Sequence, residues 1–298
     1  MPLDATDSPP AGRTQRLGDA TRLGPVALTV TDLDRSVSWY ADSLGLLLHR
    51  REDPAAALGA GEEDVVVLHE EPGARRAGRH AGLFHVALLY ASRSELARVA
   101  VRLASTRTPI QGASDHGTHE AIYLADPDGN GLELAADRPR AAWPADALVH
   151  PGGPDPLDLD GLLALTVDEG PRRHAEAGLR VGHVHLTVGD LDRPTRFYRD
   201  GLGFDEVTRL PSAVFLAAGG YHHHVAVNVW RGRDVPPAPA GVVGLRHWTI
   251  EVDGREELGR VGERVSALGA PVDETDSGLL VRDPSGIAAF VVARGAAA

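Results

Sequence analysis

Apolar and polar residues alternate from Val26 to Val30, the period of a half-buried strand, and the stretch runs into Asp32-Leu33-Asp34, a helix start. Trp39 and Tyr40 close that helix, Gly45 ends it, and short strands follow, one over Asp64 to His69. The order then recurs. A second unit opens at Gly82-Leu83-Phe84-His85-Val86-Ala87 and passes through an amphipathic helix from Ser94 to Ser105. It reaches Ala121-Ile122-Tyr123-Leu124, and the turn Asp126-Pro127-Asp128-Gly129-Asn130 feeds the strand Leu132-Glu133-Leu134. A third unit starts at Val181, and its hairpin ends in His222-His223-His224 before the apolar run from Val225. The fourth runs from Leu245 through a helix over Glu256 to Leu268 to Asp283-Pro284-Ser285-Gly286 and a last strand. Each unit predicts strand–helix–strand–strand–strand in roughly 50 residues, a repeat too small to bury its own sheet.

At residue level the third unit opens Val181-Gly182-His183-Val184-His185-Leu186-Thr187-Val188, and the first opens with an imperfect copy, Leu23-Gly24-Pro25-Val26-Ala27-Leu28-Thr29-Val30. Pro25 stands where His183 does, so the repeat has diverged at its polar positions and function belongs where they survive. The organisation expected is a disordered tail over 1–20, modules over 21–73 and 80–137, a Pro/Gly/Asp-rich connection over 138–180, and modules over 181–232 and 243–294.

Composition narrows the function classes. The 298 residues are 43% apolar and 24% charged, which fits a globular chain. A net charge of −12 argues against a nucleic-acid partner, because phosphate contact needs clustered Lys and Arg. No apolar run approaches a membrane span and the first residues lack a signal-peptide core, so no membrane partner and a cytoplasmic location are expected. There is no Cys, so any metal must be held by His and carboxylates. The pattern leaves a homo-oligomer open.

The fourfold βαβββ pattern, the Gly-His-Val-His-Leu opening and the two Asp-Pro-x-Gly turns resemble the vicinal-oxygen-chelate superfamily of glyoxalases, extradiol dioxygenases and bleomycin-resistance proteins. The four-module length, Gly-Tyr-His-His-His and Asp-Pro-Asp-Gly-Asn-Gly are most similar to its bacterial catechol 2,3-dioxygenases. The resemblance implies an α+β fold in which four βαβββ modules form two cupped mixed-sheet barrels. It also implies a metal held by a His from the first strand of each of two facing modules and a Glu from a last strand. The first-strand positions are Pro25, His85, His183 and His247, and the last-strand position is Glu133 in module two and Phe290 in module four. Pairing modules two and three gives the complete set His85, Glu133 and His183; the outer pair of one and four is left with Pro25, His247 and Phe290 and no usable site. Two His and one carboxylate on one face suit Fe(II), the metal the resemblance implies first, while Mn²⁺, Zn²⁺ and Ni²⁺ accept the same donors.

The resemblance also implies proton-handling groups around the metal. His224 is assigned as the acid–base His, since strand alternation would put His222 and His224 on one face. His116 and Tyr123, upstream of Glu133, complete the catalytic set, and His185 and His222 are assigned to substrate. The reaction implied is extradiol cleavage of a small aromatic diol by O₂. The rivals are a glyoxalase-type isomerase or lyase, which would want a second carboxylate where this chain has Asn228, and a bleomycin-resistance-type binding protein with no chemistry.

Overall fold

The computed structural model describes residues 16–76, 78–144, 153–170 and 172–294. The first unit consists of β1 (Arg22–Val30), α1 (Leu33–Trp39), β2 (Leu47–Glu52), β3 (Ala55–Ala60) and β4 (Glu63–Glu70). The second consists of β5 (Gly82–Leu89), α2 (Arg93–Ser105), β6 (Ile110–Asp115), β7 (His119–Ala125) and β8 (Gly131–Asp137), and the connection adds a short β9 (Asp155–Pro156) and α3 (Leu159–Leu163). In the third are β10 (Arg180–Thr187), α4 (Asp192–Arg196), β11 (Asp205–Leu210), β12 (Ala213–Ala217) and β13 (Val225–Asn228). The fourth holds β14 (Gly244–Val252), α5 (Gly254–Ala267), β15 (Val272–Glu274), β16 (Leu279–Arg282) and β17 (Ala288–Ala293). α1 starts where its cap predicts: Asp32 Oδ1 accepts from Arg35 N at 2.9 Å. α1 and α4 each widen into a π-helical turn that ends on a left-handed glycine, Gly45 and Gly203.

The strands form two mixed sheets. One runs β15-β16-β17-β14-β1-β4-β3-β2, joining units four and one, and the other runs β11-β12-β13-β10-β5-β8-β7-β6-β9, joining three and two. The inner pairing is made by β5 against β10, antiparallel, with His85 opposite His185 and Ala87 opposite His183. The expected barrels do not close. Each sheet is open, its edge strands unpaired with one another among the described residues, so the architecture is two cups. The middle strands of the two sheets pack together, β1 on β10 and β14 on β5, around one continuous apolar core.

Consecutive units are tied through their Asp-Pro turns. Tyr198 donates to Asp283 Oδ2 at 2.9 Å and Tyr40 to Asp126 Oδ2 at 3.2 Å, each from one unit's helix to the next unit's turn. Burial pushes the Asp283 carboxyl up to about 6 even though Ile287 N and Ser285 N donate to it. A carboxyl raised above its ordinary 3.8 adds stability below that value that is lost as the pH rises through about 6. Asp283→Asn is therefore expected to flatten the fall in unfolding free energy between about pH 4 and about pH 7 by about 3 kcal/mol relative to wild type, read by urea titration.

Of the expected tail, residues 1–15 lie outside the described residues. Residues 16–20 are held: Leu17 N donates to Gly203 O at 2.8 Å, and Arg16 donates to Arg199 O and Phe204 O. In the connection, residues 145–152 and 171 lie outside the described residues. The rest folds back on the second unit, with β9 extending the sheet at β6, Leu162 buried, and Glu169 receiving Arg98 of α2 at 2.7 Å. No helix among the described residues is long and apolar enough to cross a membrane.

Candidate metal centre

The centre is built on a row across three adjacent strands. Parallel pairing sets Glu133 of β8 beside Ala87 of β5, and antiparallel pairing sets His183 of β10 on the other side of Ala87. Ala87 is too small to fill the gap between the two polar side chains, and His85 lies two residues before it on the same face. β8 can sit this close only because Gly131 has no side chain: a Cβ there would stand 2.0 Å from Phe84 O.

Three donor atoms converge. His85 Nε2 lies 3.0 Å and His183 Nε2 3.3 Å from Glu133 Oε2, and the two nitrogens are 3.3 Å apart. All three side chains are buried. Two imidazole nitrogens and one carboxylate oxygen gathered on one side of a point are a fitting donor set for a divalent transition metal with open positions opposite. Burial raises the Glu133 carboxyl, but His183, His85 and His119 outweigh it and hold the acid well below the usual carboxylate range. Burial pushes His183 down while Glu133 pulls it up; the neutral ring, which burial favours, is the form that ligates metal.

His119 was not among the residues singled out from the sequence. Its Nε2 meets Glu133 Oε1 at 3.1 Å, and its Nδ1 pairs with Thr118 Oγ1 at 2.8 Å. If Thr118 donates to Nδ1, Nε2 carries the proton and donates to the carboxylate, fixing its second oxygen. The signal was there: His119 and Tyr123 alternate on one face of β7, and Tyr123 lies directly across from Glu133. Losing such an outer partner is expected to weaken metal binding about 10–100-fold, so His119→Ala should shift the metal's Kd by that much in a competitive chelator titration.

The centre floors a cavity of about 810 Å³ whose walls include Phe84, Phe215, Trp230 and the rings of His116, Tyr123, His185, His222 and His223. His116 Nε2 and Tyr123 Oη share a hydrogen bond of 2.6 Å. Burial, then His119, lower His116 to about 4, and burial and Glu133 raise Tyr123, so both are neutral near pH 7. His185 lies between Phe84 and Trp230, and its Nε2 is buried with no hydrogen-bond partner among the described residues.

His224 is the one singled-out residue that the fold keeps out. β13 begins only at Val225, so strand alternation does not extend back over the triplet. The chain turns there instead, and His222 and His223 face the cavity together. His224 points away, its Nδ1 accepting from Ala218 N at 3.1 Å and its ring near Tyr221 and Phe204. The His224 ring is thus set apart from the three donor atoms, outside the lining of their cavity.

The cavity gains a polar chain in exchange. His222 Nε2 lies 3.2 Å from Asp137 Oδ1, and His222 Nδ1 lies 2.8 Å from His223 Nδ1. Burial raises Asp137, but His222 and Tyr221 outweigh it, so the carboxylate is ionised and can only accept. His222 is driven down to about 3 by burial and is neutral, so its one proton goes to Asp137 and its Nδ1 must accept from His223. His223 Nε2 is left with a bare lone pair, and the ring sits 4.0 Å, centroid to centroid, from His183.

The outer pair holds no such set. His247 lies 5.8 Å from Phe290, and among the described residues every His/Asp/Glu cluster with ligand spacing lies in the sheet of units two and three.

Fold and centre together define a metal-type site between two inner βαβββ units, and the comparisons agree on the class. The chain belongs to the Glyoxalase/Bleomycin resistance protein/Dioxygenase superfamily, whose family model matches residues 22–134 and 180–289. It is 38% identical over 273 residues to the Catechol-2,3-dioxygenase of Bacillus subtilis (strain 168), spanning 89% of this chain and 94% of that one. In fold it is similar to the crystal structure of glyoxalase I from Zea mays, with a TM-score of 0.59 at 20% identity over 92% of each chain. It is likewise similar to a putative dioxygenase from Bacillus subtilis subsp. subtilis str. 168, with a TM-score of 0.65 at 14% identity over 94% of this chain and 86% of that one.

Proposed function

We propose that the protein is an extradiol ring-cleaving dioxygenase, acting with O₂ on a small aromatic with two adjacent hydroxyls at an Fe(II) held by His85, His183 and Glu133. The observation that carries the reading is the convergence of those three donor atoms at the floor of an aromatic-walled cavity. The likeness to a protein named as a catechol dioxygenase over nearly the whole chain supports it. An ion held by these three residues would supply Lewis-acid and one-electron redox chemistry to a diol and O₂. Mn²⁺, Zn²⁺ and Ni²⁺ suit the same donors, so reconstitution decides the metal.

The chain's own groups divide the remaining work. His223 Nε2, its lone pair fixed by the Asp137–His222 chain, takes a proton from a diol hydroxyl and returns it later. His116 and Tyr123 are neutral hydrogen-bonding groups on the opposite wall and steady charge on the substrate oxygens. His185, Phe84 and Trp230 hold the ring, and their apolar edges exclude water from it. The ring bond beside the diol breaks and both oxygen atoms of O₂ enter the product. The test is oxygen uptake by protein loaded anaerobically with Fe(II), with a series of catechols as substrates and ¹⁸O₂ to follow both atoms. Uptake with two labelled atoms in an opened product supports the reading; no uptake with any of them ends it.

A further inference from the structure

A second cavity, of about 210 Å³, lies on the other side of the histidine triplet, where the segment before β1, the start of β10 and the β12–β13 turn meet. It is separate from the metal centre, and His224 is its buried polar wall. Because His224 Nδ1 accepts from Ala218 N, the proton of the neutral ring is on Nε2. Burial, then His183 and Arg180, hold the ring down at about 4, so it is neutral at ordinary pH. That Nε2–H has no hydrogen-bond partner among the described residues, although the residue is nine-tenths buried.

Arg180, exposed at the first position of β10, lines the same cavity, and its side chain makes no ion pair or hydrogen bond among the described residues. The other two guanidiniums there are committed. Arg22 pairs with Glu251 at 2.7 Å, and Arg140 donates to Gly219 O and Gly220 O, holding the glycine turn. In a chain of net charge −12, an exposed guanidinium without an ion pair, beside a ring N–H that opens on the cavity with no partner among the described residues, is a receptor for an anion. Asp19 on the same wall disfavours a second negative charge on the ligand, and Leu23, Leu89 and Val181 supply an apolar side.

We propose that this cavity binds a small monocarboxylate, its carboxylate on the Arg180 guanidinium and His224 Nε2–H and its carbon chain against Leu23, Leu89 and Val181. The proposal does not depend on the reaction at the metal centre. It is tested on the metal-free full chain by calorimetric titration with propionate and butyrate, with chloride and phosphate at matched ionic strength as contrasts. Saturable carboxylate binding is expected, weakened about tenfold or more by Arg180→Ala, a change at an exposed strand end that removes no hydrogen bond or ion pair among the described residues. His224→Gln, which can still accept from Ala218 N and donate with its amide, is expected to retain binding, and Glu133→Ala to leave it unchanged. The proposal is overturned if no saturable binding occurs, if Arg180→Ala binds as well as wild type, or if phosphate and chloride give the same response. Loss of binding in Glu133→Ala would also overturn it, by placing the carboxylate in the metal cavity.

Discussion

Glu133→Ala is expected to yield a folded protein that holds no stoichiometric metal and consumes no measurable oxygen with a catechol, while His247→Ala matches wild type in both. Glu133 supplies the only anionic donor of the three, and its Oε2 lies within 3.3 Å of both imidazole nitrogens. Without it two neutral rings remain. Removing an outer partner already costs about 10–100-fold in metal affinity, so removal of a direct ligand must cost more. The fold should survive, since the substitution also deletes a carboxylate whose burial is costly in itself. His247 is the control because it occupies the matching first-strand place in the outer pair, yet its nearest ring neighbour is Phe290, 5.8 Å away. Metal analysis of the three purified proteins, followed by oxygen uptake after Fe(II) loading, reads the result. Full metal content in Glu133→Ala, or its loss in His247→Ala, would move the centre elsewhere.

The contrast between inner and outer units is legible in the sequence, because the candidate ligands stand there only as a set. His85, Glu133 and His183 make sense together under one pairing of the modules, and the sheet order β10-β5-β8 is that pairing. Periodicity gave the strands and helices for the same reason, each unit repeating one apolar pattern. What stayed hidden lies where local pattern stops governing the chain. Strand alternation does not reach back over His222 to His224, because the residues before Val225 form a turn that sets His222 and His223 in the cavity and leaves His224 out of it. Closure of a sheet depends on whether distant edges meet, and no residue pattern in β2 or β15 records that. The connection looked like spacer because its anchors are single residues, Leu162 and Glu169, without a period. His119, by contrast, is revealed by pattern alone, since it alternates with Tyr123 on one face of β7.

His223→Phe is expected to keep iron and catechol binding yet lower kcat by about 10²–10⁴, the usual worth of a positioned acid–base group. Phenylalanine preserves the ring that packs against His183 and Phe215, 4.0 and 5.2 Å away between centroids, so the metal's surroundings keep their shape. What disappears is the one lone pair that the chain of hydrogen bonds from Asp137 leaves facing the cavity. The direction of that chain follows from charge. Asp137 is ionised and accepts, His222 is neutral and has one proton to give, and His223 is left donating through Nδ1. Asp137→Asn should therefore act in the same direction with a smaller loss, because an amide can offer His222 a donor in place of an acceptor and so reverse the chain. His224→Gln should leave kcat unchanged, its side chain lying beyond the wall. The measurement is steady-state oxygen uptake across pH on proteins of equal iron content. A loss in His224→Gln as large as that in His223→Phe would return the proton-handling role to the residue that the alternation argument chose. A fall in iron content in His223→Phe would make that ring a ligand, in the cluster it forms with His183 and His222.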